Sequence, residues 1–342
     1  MTYDNKPVTL KTLAKILKLN PSTISKALRD GTDISENTRN IVKQKAEELG
    51  YQPNIMARTL IKKHSNIIGV IVSDLRISFF SEVTRGIYEK ARQFDYETII
   101  MVHNGDNELE KRNLKFLAAL NVDGILIDIV PGSKNKELLK NINNRGVPVV
   151  CYDSTVDELE ISSVRNDDEK ASYDVVEYLI NNGRKDIVFL CNIVNIKYVK
   201  YRYNGYQKAL ADNGIEFRPD YVIACNFNWD DVNLKMTRFL NSGKKFNGIV
   251  CVGGLAAYEA GRAILDYGLL IPKDVLLAEF GDNNIVHRLG VPFVTVNQFP
   301  FRMGQKAVEM IVDIINDNAK EQPEEHIFID TKLIHHHHDF KK

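Results

Sequence analysis

Val8–Leu60 reads VTLKTLAKILKLNPSTISKALRDGTDISENTRNIVKQKAEELGYQPNIMARTL, and its punctuation dictates three short helices. Leu10, Leu13, Ala14 and Leu17 recur at helical spacing and share one face. Asn20 offers a capping side chain, and Pro21 has a fixed φ suited to the first helical position. A second helix is therefore expected from Pro21 to about Leu28, with Ile24, Ala27 and Leu28 inward. Ser35 caps a third helix with Ile41, Val42, Ala46 and Leu49 inward, and Gly50 ends it in a left-handed cap. The connection Leu17-Lys18-Leu19-Asn20 is too short for antiparallel neighbours but suits a helix-turn-helix.

From Asn66 onward the pattern changes to short apolar runs: IIGVIV, ETIIMV, GILIDIV, PVVCYD, DIVFLCN, YVIACNF, GIVCV and VLLAEF. Continuous apolar runs mark strands buried on both faces, as in parallel sheets. Stretches of helix length such as Glu82–Phe94, Glu110–Leu120 and Ala171–Asn181 separate them, so the region reads as right-handed βαβ repeats. Two open sheets are expected, the first ending near Asp153 and the second taking over from Asp186. No strand is followed by GxGxxG, and no GxxxxGK[ST] occurs, so a nucleotide cofactor has no support.

A chain of 342 residues exceeds the size of one core, and two or three folding units are the expectation. The net charge of zero hides an asymmetry. Residues 1–64 carry 12 basic against 6 acidic side chains, while residues 65–342 carry 33 against 39. A basic small domain on an acidic large one suits binding to a polyanion by the small domain alone. No apolar run reaches the roughly 18 residues that span a bilayer, and the start, MTYDNKPVTLKTL, lacks the apolar stretch of a signal peptide. A cytoplasmic location without membrane contact is expected. Cys151, Cys191, Cys225 and Cys251 lie at or near the ends of apolar runs without CxxC spacing and read as reduced core residues. GxSxG and HExxH are absent, and His64, His103, His287 and His326 form no local cluster with a nucleophile, so no catalytic, metal or cofactor site is expected. The run His335–His338 is assigned no role.

The segments TLKTLAKILKL, STISKAL, ISENTRNIV and GYQPNIMARTL together resemble the DNA-binding headpiece of LacI/GalR-family regulators. The likeness continues through SDLRISFFSEVTRGI, VRNDDEKAS, RYNGYQKAL, AAYEAGRAI and FVTVNQFPFRMGQKA in family order. It implies an all-α helix-turn-helix headpiece plus an α/β periplasmic-binding-protein-like sensor of two doubly wound parallel-sheet subdomains. The implied divisions are residues 1–52, a hinge helix and linker at 53–64, and a sensor at 65–334. The sensor subdomains would comprise about 65–165 plus 293–325 and about 166–292 plus 326–334. The implied function is a transcriptional regulator, in the first instance a repressor, that binds a palindromic double-stranded DNA operator as a homodimer under control of a small-molecule effector, a sugar or sugar derivative. The alternative retains the regulator but lets a partner protein, or DNA alone, set its activity. A transporter's solute-binding protein would share the sensor architecture, but the headpiece argues against it.

Recognition helices present their amino-terminal residues to base edges, which here makes Pro21, Ser22 and Lys26 the base readers. By the resemblance Thr9, Thr23, Ser25, Ser35 and Thr38 touch phosphates and fix register. The hinge residues Asn54, Ala57, Arg58 and Leu60 would enter the minor groove, with Leu60 wedged into a base step. The resemblance assigns the effector Ser73, Phe79, Phe80, Asp153, Arg202, Phe227, Asp282 and Gln298, with Trp229 as an alternative to Phe227 for an apolar wall. This sequence departs from the family at Gly253-Gly254, where many relatives carry Asn-Asp, and at Gly281, where many carry Asp. Arg202 without those acceptors leads to the expectation of an anionic or larger ligand.

Overall fold

The computed structural model describes residues 8–28, 31, 33–52, 64–155, 159–192, 197–226, 228–281, 285–316 and 324–337. These divide into two compact units, residues 1–65 and 66–342.

In the first unit, helices α1 (Leu10–Leu17), α2 (Pro21–Ala27) and α3 (Glu36–Glu48) enclose Leu13, Ala14, Ile24, Ala27, Val42 and Ala46. Lys18 takes the left-handed conformation after α1, and Gly50 does so after α3, at φ 64°. Ile41 does not join this core and is 47% exposed. Adjacent positions on a helix lie about 100° apart, so once Val42 and Ala46 face inward Ile41 must turn toward solvent.

The second unit contains two six-stranded sheets. In the first, β2 (Glu97–Val102), β1 (Ile67–Val72), β3 (Gly124–Ile127), β4 (Val149–Tyr152), β5 (Ser163–Asn166) and β11 (His326–Ile329) are neighbours in that order, all parallel. Helices α4 (Ser78–Gln93) and α11 (Pro300–Asn316) cover one face, and α5 (Asn107–Ala119) and α6 (Lys136–Asn144) the other. In the second, the order is β7 (Val222–Ala224), β6 (Ile187–Cys191), β8 (Gly248–Cys251), β9 (Leu276–Phe280), β10 (Phe293–Asn297) and β12 (Lys332–His336), with only β12 antiparallel. Its faces are covered by α7 (Asp168–Asn181) with α8 (Lys197–Asp212), and by α9 (Trp229–Asn241) with α10 (Gly254–Asp266). Helices on both faces are what strands apolar on both sides require.

The subdomain limits differ from those the sequence suggests. The strand at 293–297 belongs to the second sheet and that at 326–329 to the first, because the chain crosses after β10 and again after β11. The first sheet also runs on past Asp153 through β5 and β11. Three crossings therefore join the lobes. Asn166 ties their strands together, its Nδ2 donating to the carbonyls of Gln298 (3.2 Å) and Ile329 (2.8 Å) while Gln298 Nε2 donates to Asn166 Oδ1 (3.3 Å).

Candidate functional site

Hydroxyl and amide side chains organise the headpiece before any partner is considered. Thr9 caps α1, accepting from Thr12 N (3.2 Å), and Thr12 Oγ1 accepts in return from Thr9 N (3.3 Å). Asn20 Oδ1 caps α2, accepting from Ser22 N (3.0 Å) and Ser22 Oγ (2.9 Å). Ser35 caps α3 through Thr38 N (3.3 Å) and pairs with the Thr38 hydroxyl (2.8 Å). Pro21 and Ser22 are exposed at the start of α2, and Thr23 and Ser25 are half-buried on it. Lys26, at its last turn, is half exposed and forms an ion pair with Asp33. Hydrogen bonding to Lys26 holds the Asp33 carboxyl below its usual range. Arg39 Nη2 donates to the carbonyls of Gly31 (3.0 Å) and Ile34 (3.2 Å), stitching the connection between α2 and α3. Asp33, in the connection between α2 and α3, and Arg39, in the first turns of α3, were not singled out in the sequence. Asn54, Ala57, Arg58 and Leu60 lie outside the described residues.

A second site lies where the strands of the first lobe end. Ligands of open α/β sheets bind outside the carboxyl ends of the strands, and here Ser73, His103, Asp128 and Asp153 follow β1, β2, β3 and β4. A cavity of about 40 Å³ is lined by residues 129–132 and by Asp153, Ser154, Thr155, Arg165, Asp168 and Tyr201. Arg202 is buried, donates from Nε to Asp168 Oδ1 (2.7 Å) and lies 4.1 Å from the centre of the Phe280 ring. Its charge is thereby committed to a carboxylate of the same chain.

Burial governs the electrostatics. It pushes the Asp153 carboxyl up to about 7; neighbouring Asp168 adds to the shift and Arg202 opposes it. Burial, followed by the Asp153 charge, carries Asp128 well above the carboxylate range. Asp168 is also raised by burial, against the pull of Arg202. His103 is held below its usual value by burial; Nε2 faces the Asp128 carbonyl (2.9 Å) and Nδ1 accepts from Gly105 N (2.9 Å), so the ring is neutral. Arg202 is thus already paired with Asp168, while Arg165 stands on the wall of the cavity.

Other candidates lie elsewhere. Phe79 and Phe80 meet edge to face at 5.1 Å and pack against the core between α4, α11 and the sheet. Gln298 is engaged with Asn166 at the crossings. Trp229 is 47% exposed and meets Tyr258 edge-on at 5.7 Å. Phe227 and Asp282 lie outside the described residues. Gly253 and Gly281 have φ of 149° and 115°, conformations in which side chains are strained. A Cβ on Gly281 would stand 3.6 Å from Glu279 Oε2, so an acid two residues earlier occupies that neighbourhood; its Oε1 accepts from Thr295 Oγ1 (2.7 Å). Asp128, Asp168, His103 and Glu279 were not chosen from the sequence. The available signal was a lone acid inside an apolar run, in GILIDIV and VLLAEF.

The His335–His338 run is partly structural: His335 and His336 belong to β12. His336 stacks on Phe293 at 4.4 Å.

A family described as "Periplasmic binding proteins and sugar binding domain of LacI family" matches residues 65–337. This chain belongs to the LacI family. The HTH-type transcriptional regulator RegA of Clostridium saccharobutylicum is 30% identical to this LacI-family chain over 315 residues, 92% of this chain and 94% of RegA. The HTH-type transcriptional repressor CytR of Escherichia coli K12 is 28% identical over 307 residues, 89% of each chain. The Lac repressor dimer bound to operator and the anti-inducer ONPF superposes with a TM-score of 0.83 at 23% identity, covering 96% of this chain and 98% of that one. The fold is therefore that of a LacI-family protein throughout, and the chain is a helix-turn-helix transcriptional regulator, not an enzyme. Among the described residues no helix is long and apolar enough to cross a membrane.

Proposed function

We propose that this chain is a cytoplasmic repressor that binds a palindromic DNA operator as a homodimer and changes its operator affinity when a small molecule, a sugar or sugar derivative, occupies the crevice beside Asp153. The reading divides the chain into a helix-turn-helix at 1–52, a hinge at 53–64 and a sensor beginning at residue 65. The observation that carries it is the pre-ordered, exposed start of α2, where Asn20 fixes Pro21 and Ser22. One headpiece presents few base-reading side chains, so useful specificity calls for two half-sites related by the two-fold axis of a dimer. Ser22 and Lys26 read bases; Thr9, Thr23, Ser25, Ser35 and Thr38 position the backbone of the duplex. Lys26 must exchange Asp33 for a base edge on binding.

Selection from a random duplex pool, followed by anisotropy titration, tests this. A palindromic consensus is expected, and Lys26→Ala should lose about tenfold or more on the consensus while binding scrambled duplex unchanged. Equal losses on both duplexes would make Lys26 a phosphate contact, and a pool without enrichment would overturn operator reading altogether.

A further inference from the structure

The lysine on the reading face of α2 arrives with an acid attached. Ser22 and Lys26 lie one helical turn apart and share a face, and the Lys26 ammonium donates to Asp33 Oδ2 at its end. The turn that carries Asp33 is built to hold it there. Gly31 N donates to the Lys26 carbonyl (2.9 Å) and Ile34 N to the Gly31 carbonyl (3.3 Å), while Arg39 Nη2 ties the carbonyls of Gly31 and Ile34 on either side of Asp33 (3.0 and 3.2 Å). A Cβ on Gly31 would stand 3.1 Å from both Asp33 Oδ1 and the Lys26 carbonyl oxygen, so this approach depends on glycine. The other described acids of the headpiece belong to α3: Glu36 in its first turn, and Glu47 and Glu48 at its end, with Glu48 paired to Lys45 (2.7 Å). The side chains of Lys26 and Asp33 are 50% and 57% exposed, which leaves the outer side of the pair open to a ligand. An acid brought against a polyanion repels it unless a donor is there to meet the carboxylate.

We propose that Asp33 is a further base-reading residue, accepting from the N4 amino group of a cytosine while Lys26 donates to the guanine paired with it. This deepens the reading of α2 as the operator-reading helix and rests on it. In the major groove guanine shows the acceptors O6 and N7, and cytosine shows the N4 donor. O6 and N4 are joined by a Watson–Crick hydrogen bond, so they lie about 3 Å apart. An ammonium and a carboxylate within hydrogen-bonding reach of each other match that edge, donor over acceptor and acceptor over donor. Lys26 and Asp33 exchange each other for the two bases, and neither charge is left unpaired in the interface. A thymine–adenine pair also sets an acceptor beside a donor, but it offers Lys26 one acceptor next to a methyl group and turns the adenine N7 acceptor toward the Asp33 carboxylate.

The test uses the full chain and the palindromic consensus duplex recovered by selection, with a scrambled duplex of the same length beside it. In each half-site the cytosine opposite the guanine that Lys26→Ala ceases to distinguish is replaced by N4-methylcytosine, which keeps its pairing hydrogen but turns a methyl group, not an N–H, into the groove. Anisotropy titration is expected to show the unsubstituted chain losing about tenfold or more on the methylated duplex, and Asp33→Ala binding both duplexes alike. Asp33→Asn, whose amide can pair with adenine N6 and N7, should accept adenine in place of that cytosine. A purely structural role for Asp33 would move no base preference, and if Asp33→Ala fails to fold, the adenine preference of Asp33→Asn carries the comparison. Unchanged binding of the methylated duplex by the unsubstituted chain overturns the cytosine contact while the operator reading stands. So does an equal loss in Asp33→Ala, or a variant that tightens on consensus and scrambled duplex alike, which would make Asp33 a counter-ion only. A selection that returns no consensus overturns both the contact and the operator reading.

Discussion

Asp153 shows what the crevice costs the apo protein. Its folded pKa lies at about 7, above the value of about 4 for a free aspartate. Between these two the folded state holds a proton that the unfolded chain has released, so the contribution of Asp153 to stability falls as pH rises and levels off above 7. Its side chain is only half-buried, which screens the penalty to about 1 kcal/mol, or roughly 2–4 °C in a domain of this size. Asp153→Asn should therefore raise the sensor's melting temperature by that much at pH 8 and leave it unchanged at pH 4. Melting curves across pH decide the matter, and an equal shift at every pH would mean that packing, not charge, was altered. Legibility at this scale follows position in the strands. Asp153 and Arg202 could be chosen because the resemblance fixes their places. Asp128 could not, since a lone acid in GILIDIV looks like any polar residue in a strand until the sheet order puts its carboxyl beside Asp153.

Helix packing in the first lobe depends on two glycines that carry no sequence signal. A Cβ on Gly304 of α11 would stand 2.1 Å from the carbonyl oxygen of Val83, and one on Gly86 of α4 would stand 2.1 Å from that of Phe301. Backbone meets backbone in both directions, so no rotamer change relieves the overlap. Gly304→Ala gains about 1 kcal/mol of helix propensity but must push α4 and α11 apart, which costs about 1–3 kcal/mol or more. A net loss is expected in the urea midpoint of the sensor; a stabilised variant would show that the helices have slack. Elements with strong periodicity were legible without the structure, including all three headpiece helices and the caps at Asn20 and Ser35. The short strands at and beside the sheet edges were not. The strand SVRN has one apolar residue, while HIFI and KLIHH are too brief for alternation to stand out, and they carry two of the three crossings. For that reason the sequence suggests a lobe boundary before β10, whereas the chain crosses after it.

At the scale of the whole sensor, three connecting segments pass between lobes that meet around the crevice, and closure of such a crevice turns on the residues at the crossings. Asn166 is the residue that makes the crossings one unit, because its single amide reaches the backbone of both Gln298 and Ile329. Removing it leaves two buried carbonyls and the Gln298 amide without those bonds, at about 1–3 kcal/mol for a buried group that loses its partner. The second consequence is functional. If the tie keeps the lobes near the arrangement that grips a ligand, Asn166→Ala lowers the fraction of molecules competent to bind, and apparent affinity falls by that same fraction while the contacts at Asp153 and Arg202 are untouched. Asn166→Ala should therefore weaken effector binding, blunt the effector's influence on operator affinity and raise hydrogen exchange at the ends of β5, β10 and β11, all without altering operator binding in the absence of effector. Exchange measured by mass spectrometry and operator titrations with and without the bound effector read these effects separately. A variant that loses stability but keeps the full effector response would reduce Asn166 to a packing residue and place the hinge elsewhere among the crossings.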